Sequence, residues 1–242
     1  MIIYLINCVA KVVNNDKRVD DYLKIVFIPN YCVSLAEVII PGCDISQHIS
    51  TAGMEASGTS NMKFAMNGVL IVGTMDGANI EIAQEIGEEN MFIFGARSEK
   101  VSDLRMGVRC GKIKLNTTFK EILLSIKRGD FGDPQQFRPI CDSLEHGNDH
   151  YLVSVDFDDY LNVQKQIDST FLNKEKWTEM SILSVAGSGK FSSDRTIDEY
   201  AEEVWGIEHV RRPGAKPVIL NKLTPGGKPF FFFFLFLFFN IF

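Results

Sequence analysis

Hydroxyls, a pliable backbone and one amine are concentrated in Glu55-Ala56-Ser57-Gly58-Thr59-Ser60-Asn61-Met62-Lys63-Phe64-Ala65-Met66-Asn67. The stretch reads as a Gly/Ser/Thr loop entering the first turn of a helix. Free backbone N–H groups and the dipole at such a start attract a phosphate or another anion. Thr59 and Ser60 add hydroxyl donors, and Lys63 lies about one turn in, close enough to reach back over the anion. A lysine there can act as a counter-charge, or as the amine of a Schiff base with pyridoxal phosphate. Spacing alone ranks the solvated or counter-charge role first, and Glu55 by itself reads as a surface carboxylate.

Other matches carry less. Gly187-Ser188-Gly189-Lys190 resembles the end of a phosphate-binding P-loop, but Phe191 stands where the metal-binding hydroxyl belongs and Ser184 where the first Gly belongs. It reads as a helix-ending turn. His146 and His150 are four apart, yet a metal pair at that spacing needs a helix, and Gly147-Asn148 argues for a loop. Asn116-Thr117-Thr118 fits a glycosylation sequon, which is silent without secretion. The cysteines Cys8, Cys32, Cys43, Cys110 and Cys141 are odd in number and match no zinc spacing, so they read as reduced thiols in a cytosol-like compartment.

The elements that must hold the Lys63 segment follow from apolar periodicity. Residues 1 to about 15 read as a buried helix. Leu23–Ile28, Val69–Gly73 and Met91–Gly95 read as buried strands, and Val33–Ile40, Met62–Met66 and Asn79–Ile86 as helices between or beside them. Strand and helix in alternation is the grammar of a parallel sheet with crossover helices, whose ligands sit beyond the carboxyl ends of the strands. The second half turns helical. Phe119 to Ile126 and Tyr160, Val163, Ile167 and Phe171 form apolar stripes, and Ser193 reads as an N-cap before a third; these helices are expected to cover the sheet.

The chain has 242 residues, 45% hydrophobic and 23% charged, with a net charge of −6. That composition supports a real core, excludes wholesale disorder, and carries no electrostatic footprint for nucleic acid. Nine of the 19 Phe residues crowd into Phe230–Phe242. Thirteen residues are too short for a membrane span of about 20, and Pro225-Gly226-Gly227-Lys228-Pro229 would break a helix leading into them. Residues 210–242 are therefore expected to be an artefactual tail, with no membrane partner.

The Lys63 segment resembles the pyridoxal-phosphate site of the glycogen/starch (α-glucan) phosphorylases, plant-type members above all. Asn30–Glu37, Gln47–Gly53, Gly73–Glu81, Gly87–Asn90 and Lys190–Ile197 are similar to family segments in family order, so the likeness spans residues 1–209. It implies an α/β fold: a Rossmann-like parallel sheet with covering helices, in the C-terminal lobe of a two-lobed GT-B glycosyltransferase. The lobe would be incomplete at its N-terminus.

By the same resemblance Lys63 and Glu55 take catalytic roles. Lys63 is the lysine that carries pyridoxal 5′-phosphate as an imine, Thr59 and Tyr31 attend the cofactor phosphate, and Glu55, Ser57 and Gly58 hold the glucosyl hydroxyls. The implied reaction is reversible phosphorolysis of a terminal α-1,4-linked glucose to glucose 1-phosphate, with the cofactor's 5′-phosphate in the acid–base and electrostatic role. The implied partners are an α-1,4-glucan, inorganic phosphate and, for a full-length parent, a second subunit. The implied compartment is the cytoplasm, with the plastid as alternative. A truncated, inactive chain that acts at most as a binding or assembly module is the rival expectation, because the upstream lobe and its phosphate-binding basic residues are not in this sequence.

Overall fold

In the computed structural model, residues 1–19 and 22–207 are described. The residues from Val210 onward, expected above to be an artefactual tail, lie outside them. Three short parallel strands, β1 (Ile45–His48), β2 (Leu70–Gly73) and β3 (Phe92–Ile93), pair in the order β1-β2-β3. Helix α3 (Ser60–Met66) links the first pair and α4 (Ala78–Ile86) the second. The fold is α/β, as expected.

The central strand shows why. Val69, Leu70, Ile71 and Val72 are at most 1% exposed, the continuous apolar run of a strand covered on both faces. Side chains alternate along it. Val69 and Ile71 pack with Phe64 and Ala65 of α3 and Ile82, Ala83 and Ile86 of α4. Leu70 and Val72 pack with Val163 and Ile167 of α8 (Val153–Leu172) and Met180 of α9 (Lys174–Gly187). A period of two thus divides one strand between two helical layers.

Upstream lie α1 (Ile2–Asn14) and α2 (Val33–Ile39). Between β3 and α8 run α5 (Val101–Arg109), α6 (Thr117–Arg128) and α7 (Pro134–Leu144), and α10 (Ser193–Glu199) follows α9. The Asn116 side chain accepts from the N–H groups of Thr118 and Phe119 and starts α6, and Gly129 ends it in the left-handed region. Gly187 closes α9, and a 3-10 turn Ser188–Phe191 follows, so Gly187–Lys190 is the helix-ending turn expected of it.

Several expectations are corrected. Leu23–Ile28 joins no strand ladder; Asn14 instead both donates to Ile25 O and accepts from Ile25 N–H. The strand beside β2 is β1, whose Ser46 and Gln47 gave no apolar signal. They are buried because each finds a partner: Ser46 Oγ lies 2.8 Å from His48 Nε2, and Gln47 Oε1 accepts from Tyr160 OH at 2.7 Å. Helix α1 exists but is not buried. Ile2, Ile3, Tyr4 and Val12 are exposed and only Ala10 is enclosed. The α6 stripe packs not on the sheet but on Phe137 and Cys141 of α7, with Leu5 and Cys8 of α1 against them. Ser192, not Ser193, is the N-cap of α10.

Candidate functional site

The loop from Ile49 to Thr59 leaves the carboxyl end of β1 and enters α3, and the Thr74–Gly77 loop leaves the carboxyl end of β2. In a parallel sheet these are the two places to look first. The second loop holds the first. Thr74 Oγ1 donates to Ser50 O at 2.6 Å. Asp76 Oδ2 accepts the N–H groups of Met54 at 3.0 Å and Glu55 at 2.7 Å, and Ala78 N–H donates to Ser57 O at 2.6 Å. Asn79 Nδ2 donates to Thr74 O, while Asn79 Oδ1 accepts from Asn61 Nδ2, both at 2.9 Å. Thr74, Asp76, Asn79 and Asn61 are all buried, where a charge-assisted or amide hydrogen bond is hard to replace by water.

Two glycines make this contact close. Gly77 has φ +50°, and a Cβ on it would stand 2.4 Å from Ser57 O. A Cβ on Gly73 would meet Asn79 Nδ2 at 2.6 Å and His48 O at 2.9 Å. The missing side chain at Gly77 lets the two loops lie backbone to backbone, and the one at Gly73 leaves room for the Asn79 amide and the His48 carbonyl.

What remains outward is the candidate set. Ser57, Thr59 and Lys63 are exposed, and Glu55 and Gly58 are half-buried. Thr59 is the N-cap of α3 but makes no capping bond with its hydroxyl. Lys63 lies one turn on, on the same helix face. Its amine has no ion pair or hydrogen bond among the described residues, whereas Glu55 Oε2 accepts from Ser50 Oγ at 3.2 Å. The structure therefore brings Glu55, Ser57, Gly58, Thr59 and Lys63 onto one braced segment. Tyr31 stands on another, just ahead of α2, 37% exposed. Beneath the segment His48, at the end of β1, meets the Phe64 ring edge-on, and burial pushes its imidazole down to about 4, so it is neutral at pH 7.

Sequence reasoning passed over Asp76, Asn79, Thr74 and Asn61 as site residues. The run Gly73–Asn79 was visible, but its partners lie about twenty residues upstream, and no spacing rule connects them. His146 and His150 sit in the expected loop, His146 with φ +55°. A cavity of about 140 Å³ at Arg105 and His150, and a wider groove at Glu88, Arg97 and Lys176, contain none of the Lys63 set.

Comparison with known proteins places the chain. The carbohydrate phosphorylase family model matches residues 1–207. Glycogen phosphorylase 2 of Dictyostelium discoideum is 59% identical over 218 residues, covering 90% of this chain and 22% of that protein. The cytosolic alpha-glucan phosphorylase 2 of Arabidopsis thaliana is 54% identical over 213 residues, 86% of this chain and 25% of its own length. The chloroplastic/amyloplastic alpha-1,4 glucan phosphorylase L-2 isozyme of Solanum tuberosum is 50% identical over 218 residues, 88% and 22%. The chain spans about a quarter or less of the length of these relatives. At that identity, and with the match running the length of the described residues, the chain belongs to the carbohydrate phosphorylase family.

Proposed function

We propose that this chain supplies the cofactor lysine and one wall of the glucosyl subsite of an α-glucan phosphorylase, in the C-terminal lobe of a two-lobed GT-B architecture. The reaction would be reversible phosphorolysis of a terminal α-1,4-linked glucose to glucose 1-phosphate. One observation carries the reading: the Glu55–Lys63 segment is braced from below by Asp76, Asn79 and Ala78, while its functional groups stay outward. Rigid support under exposed groups is what a site needs to hold a ligand in one geometry.

The donor set fits pyridoxal 5′-phosphate. It offers an amine without a partner among the described residues, a hydroxyl at Thr59 outside any capping bond, and the N–H groups of Ser60 and Asn61 at the helix start, while the Met62 N–H donates to Asn61 Oδ1. Lys63 would hold the cofactor through its amine, and Thr59, with Tyr31 from the α2 side, would attend the cofactor phosphate. When bound, the cofactor supplies that phosphate as an acid–base and electrostatic group beside the substrate phosphate. Glu55, its carboxylate steadied by Ser50, would accept hydrogen bonds from glucosyl hydroxyls, and Ser57 and Gly58 would orient the sugar. The partners are then an α-1,4-glucan and inorganic phosphate, with a homodimer for the full-length parent. The compartment we infer is cytoplasmic, with the plastid as the alternative; relatives named for each compartment match.

A second reading is that the chain acts without turnover, as a module that binds a phosphorylase subunit; the exposure of Ser57, Thr59 and Lys63 to water favours it. Incubation of the 242-residue chain with pyridoxal phosphate, borohydride reduction and peptide mass spectrometry should find the pyridoxyl group on Lys63. Its appearance on another lysine instead would overturn the site.

A further inference from the structure

Away from the Lys63 segment, cations converge a second time. Helix α5 carries Arg105 and Arg109 one turn apart, a spacing at which like charges repel. The 147–150 loop folds over the end of that helix. Gly147, with φ +82°, lies so close that a Cβ on it would stand 3.2 Å from Arg109 Cα. Arg105, Arg109, Gly147, Asn148, Asp149 and His150 line a cavity of about 140 Å³.

The groups that could neutralise the pair are engaged elsewhere. Asp149 is 2% exposed, and its carboxylate accepts from Val153 N–H, Ser154 N–H and Ser154 Oγ at the start of α8. Carbonyls of the last turns of α5 accept from the N–H groups of Cys110, Gly111 and Lys112. Arg105 is fixed by its Nε donating to His150 O at 2.8 Å. Arg109 has no hydrogen bond or ion pair from its side chain among the described residues. In a chain of net charge −6, a hollow lined by two arginines with no carboxylate committed to them is complementary to an anion.

The hollow also touches the loop already described. Arg105 Nη2 lies 3.2 Å from Met54 Sδ, and Thr51 Oγ1 donates to Tyr151 O at 2.6 Å. Met54 and Glu55 are the residues whose N–H groups Asp76 holds. We infer that the hollow between α5 and the 147–150 loop binds a phosphate-class dianion, free or as the phosphoryl group of an organic monoester, and that the bound anion acts through Arg105 on the Met54–Gly58 loop. The inference rests on α5 and its facing loop, so it stands or falls separately from the cofactor reading.

The test is a titration of the 15N-labelled 242-residue chain with inorganic phosphate, and separately with methyl phosphate, at constant ionic strength in chloride, followed by backbone amide resonances. Saturable shifts are expected at Asn148 and His150, with matching shifts at Glu55. Arg109→Gln, an exposed change that leaves every described contact in place, should weaken binding about tenfold. Met54→Leu should keep the shifts at Asn148 and His150 and reduce the one at Glu55. Equal response to both ligands assigns a site that accepts phosphomonoesters, and response to inorganic phosphate alone assigns one for the free ion. No saturation, or an Arg109→Gln titration like that of the parent, overturns the site. Shifts at Ser60–Lys63 without shifts at Asn148 and His150 overturn it too, while leaving the cofactor reading intact. An unmoved Glu55 overturns the coupling.

Discussion

Asp76 does for the candidate site what no outward-facing residue can. One carboxylate oxygen accepts two consecutive backbone N–H groups, at Met54 and Glu55, from a position 8% exposed. Asp76→Ala would orphan the Glu55 N–H and leave the Met54 N–H with Thr51 O alone, and a hydrogen bond to a charged group contributes about 1.5–3 kcal/mol. We expect a loss of about 2 kcal/mol or more by chemical denaturation, and loss of preferential pyridoxyl labelling at Lys63; unchanged values on both would show the brace to be dispensable. His48 adds a pH dependence. Its folded-state value of about 4 lies below the ordinary 6.5, so between those values the unfolded chain binds a proton that the folded chain refuses. Stability should therefore fall as pH drops from about 6.5 to 4, by up to about 3 kcal/mol from this residue. Denaturation curves at pH 7 and 4.5 should show a shallower acid limb for His48→Gln, an amide that can still bond Ser46.

Among the elements, the meeting of the β1–α3 and β2–α4 loops is the sharpest constraint. Gly77 is the N-cap of α4 at φ +50° and ψ −140°, a conformation only glycine adopts without strain. Gly77→Ala adds to that strain a Cβ 2.4 Å from Ser57 O, so the backbone must give way. The expected cost is about 1–3 kcal/mol. Amide exchange at Ala78, whose N–H bonds Ser57 O, should quicken beyond that of residues in β2. A variant as slow at Ala78 as the parent would mean that the loops can part without cost.

At the scale of the molecule, the candidate residues lie outward on one braced segment. Ser57, Thr59 and Lys63 are exposed, and water weakens each electrostatic contact made there. Phosphorolysis needs phosphate, sugar and cofactor held together by groups on more than one side. The 242-residue chain, supplied with pyridoxal phosphate, phosphate and an α-1,4-glucan, should release no glucose 1-phosphate above background. Turnover by the chain alone would place the catalytic groups within it and remove the second reading.

The family, the α/β class, the central strand and the candidate segment from Glu55 to Lys63 are legible in short stretches of the chain. Those features are local: an unbroken apolar run at Val69–Val72, a Gly/Ser/Thr loop before a lysine, and motifs in family order. What supports them comes from the packing of distant segments. Strand β1 was illegible because Ser46 and Gln47 are polar, and they are buried only because His48 and Tyr160 meet them. Leu23–Ile28 has the composition of a strand, but a strand exists only when another pairs with it. Helix α1 has apolar residues enough for a core and presents several of them to solvent, since only part of its surface reaches α6 and α7. Asp76, Asn79 and the Arg105–His150 hollow were hidden for the same reason. Each depends on groups far apart in the chain, whose meeting local propensity does not encode.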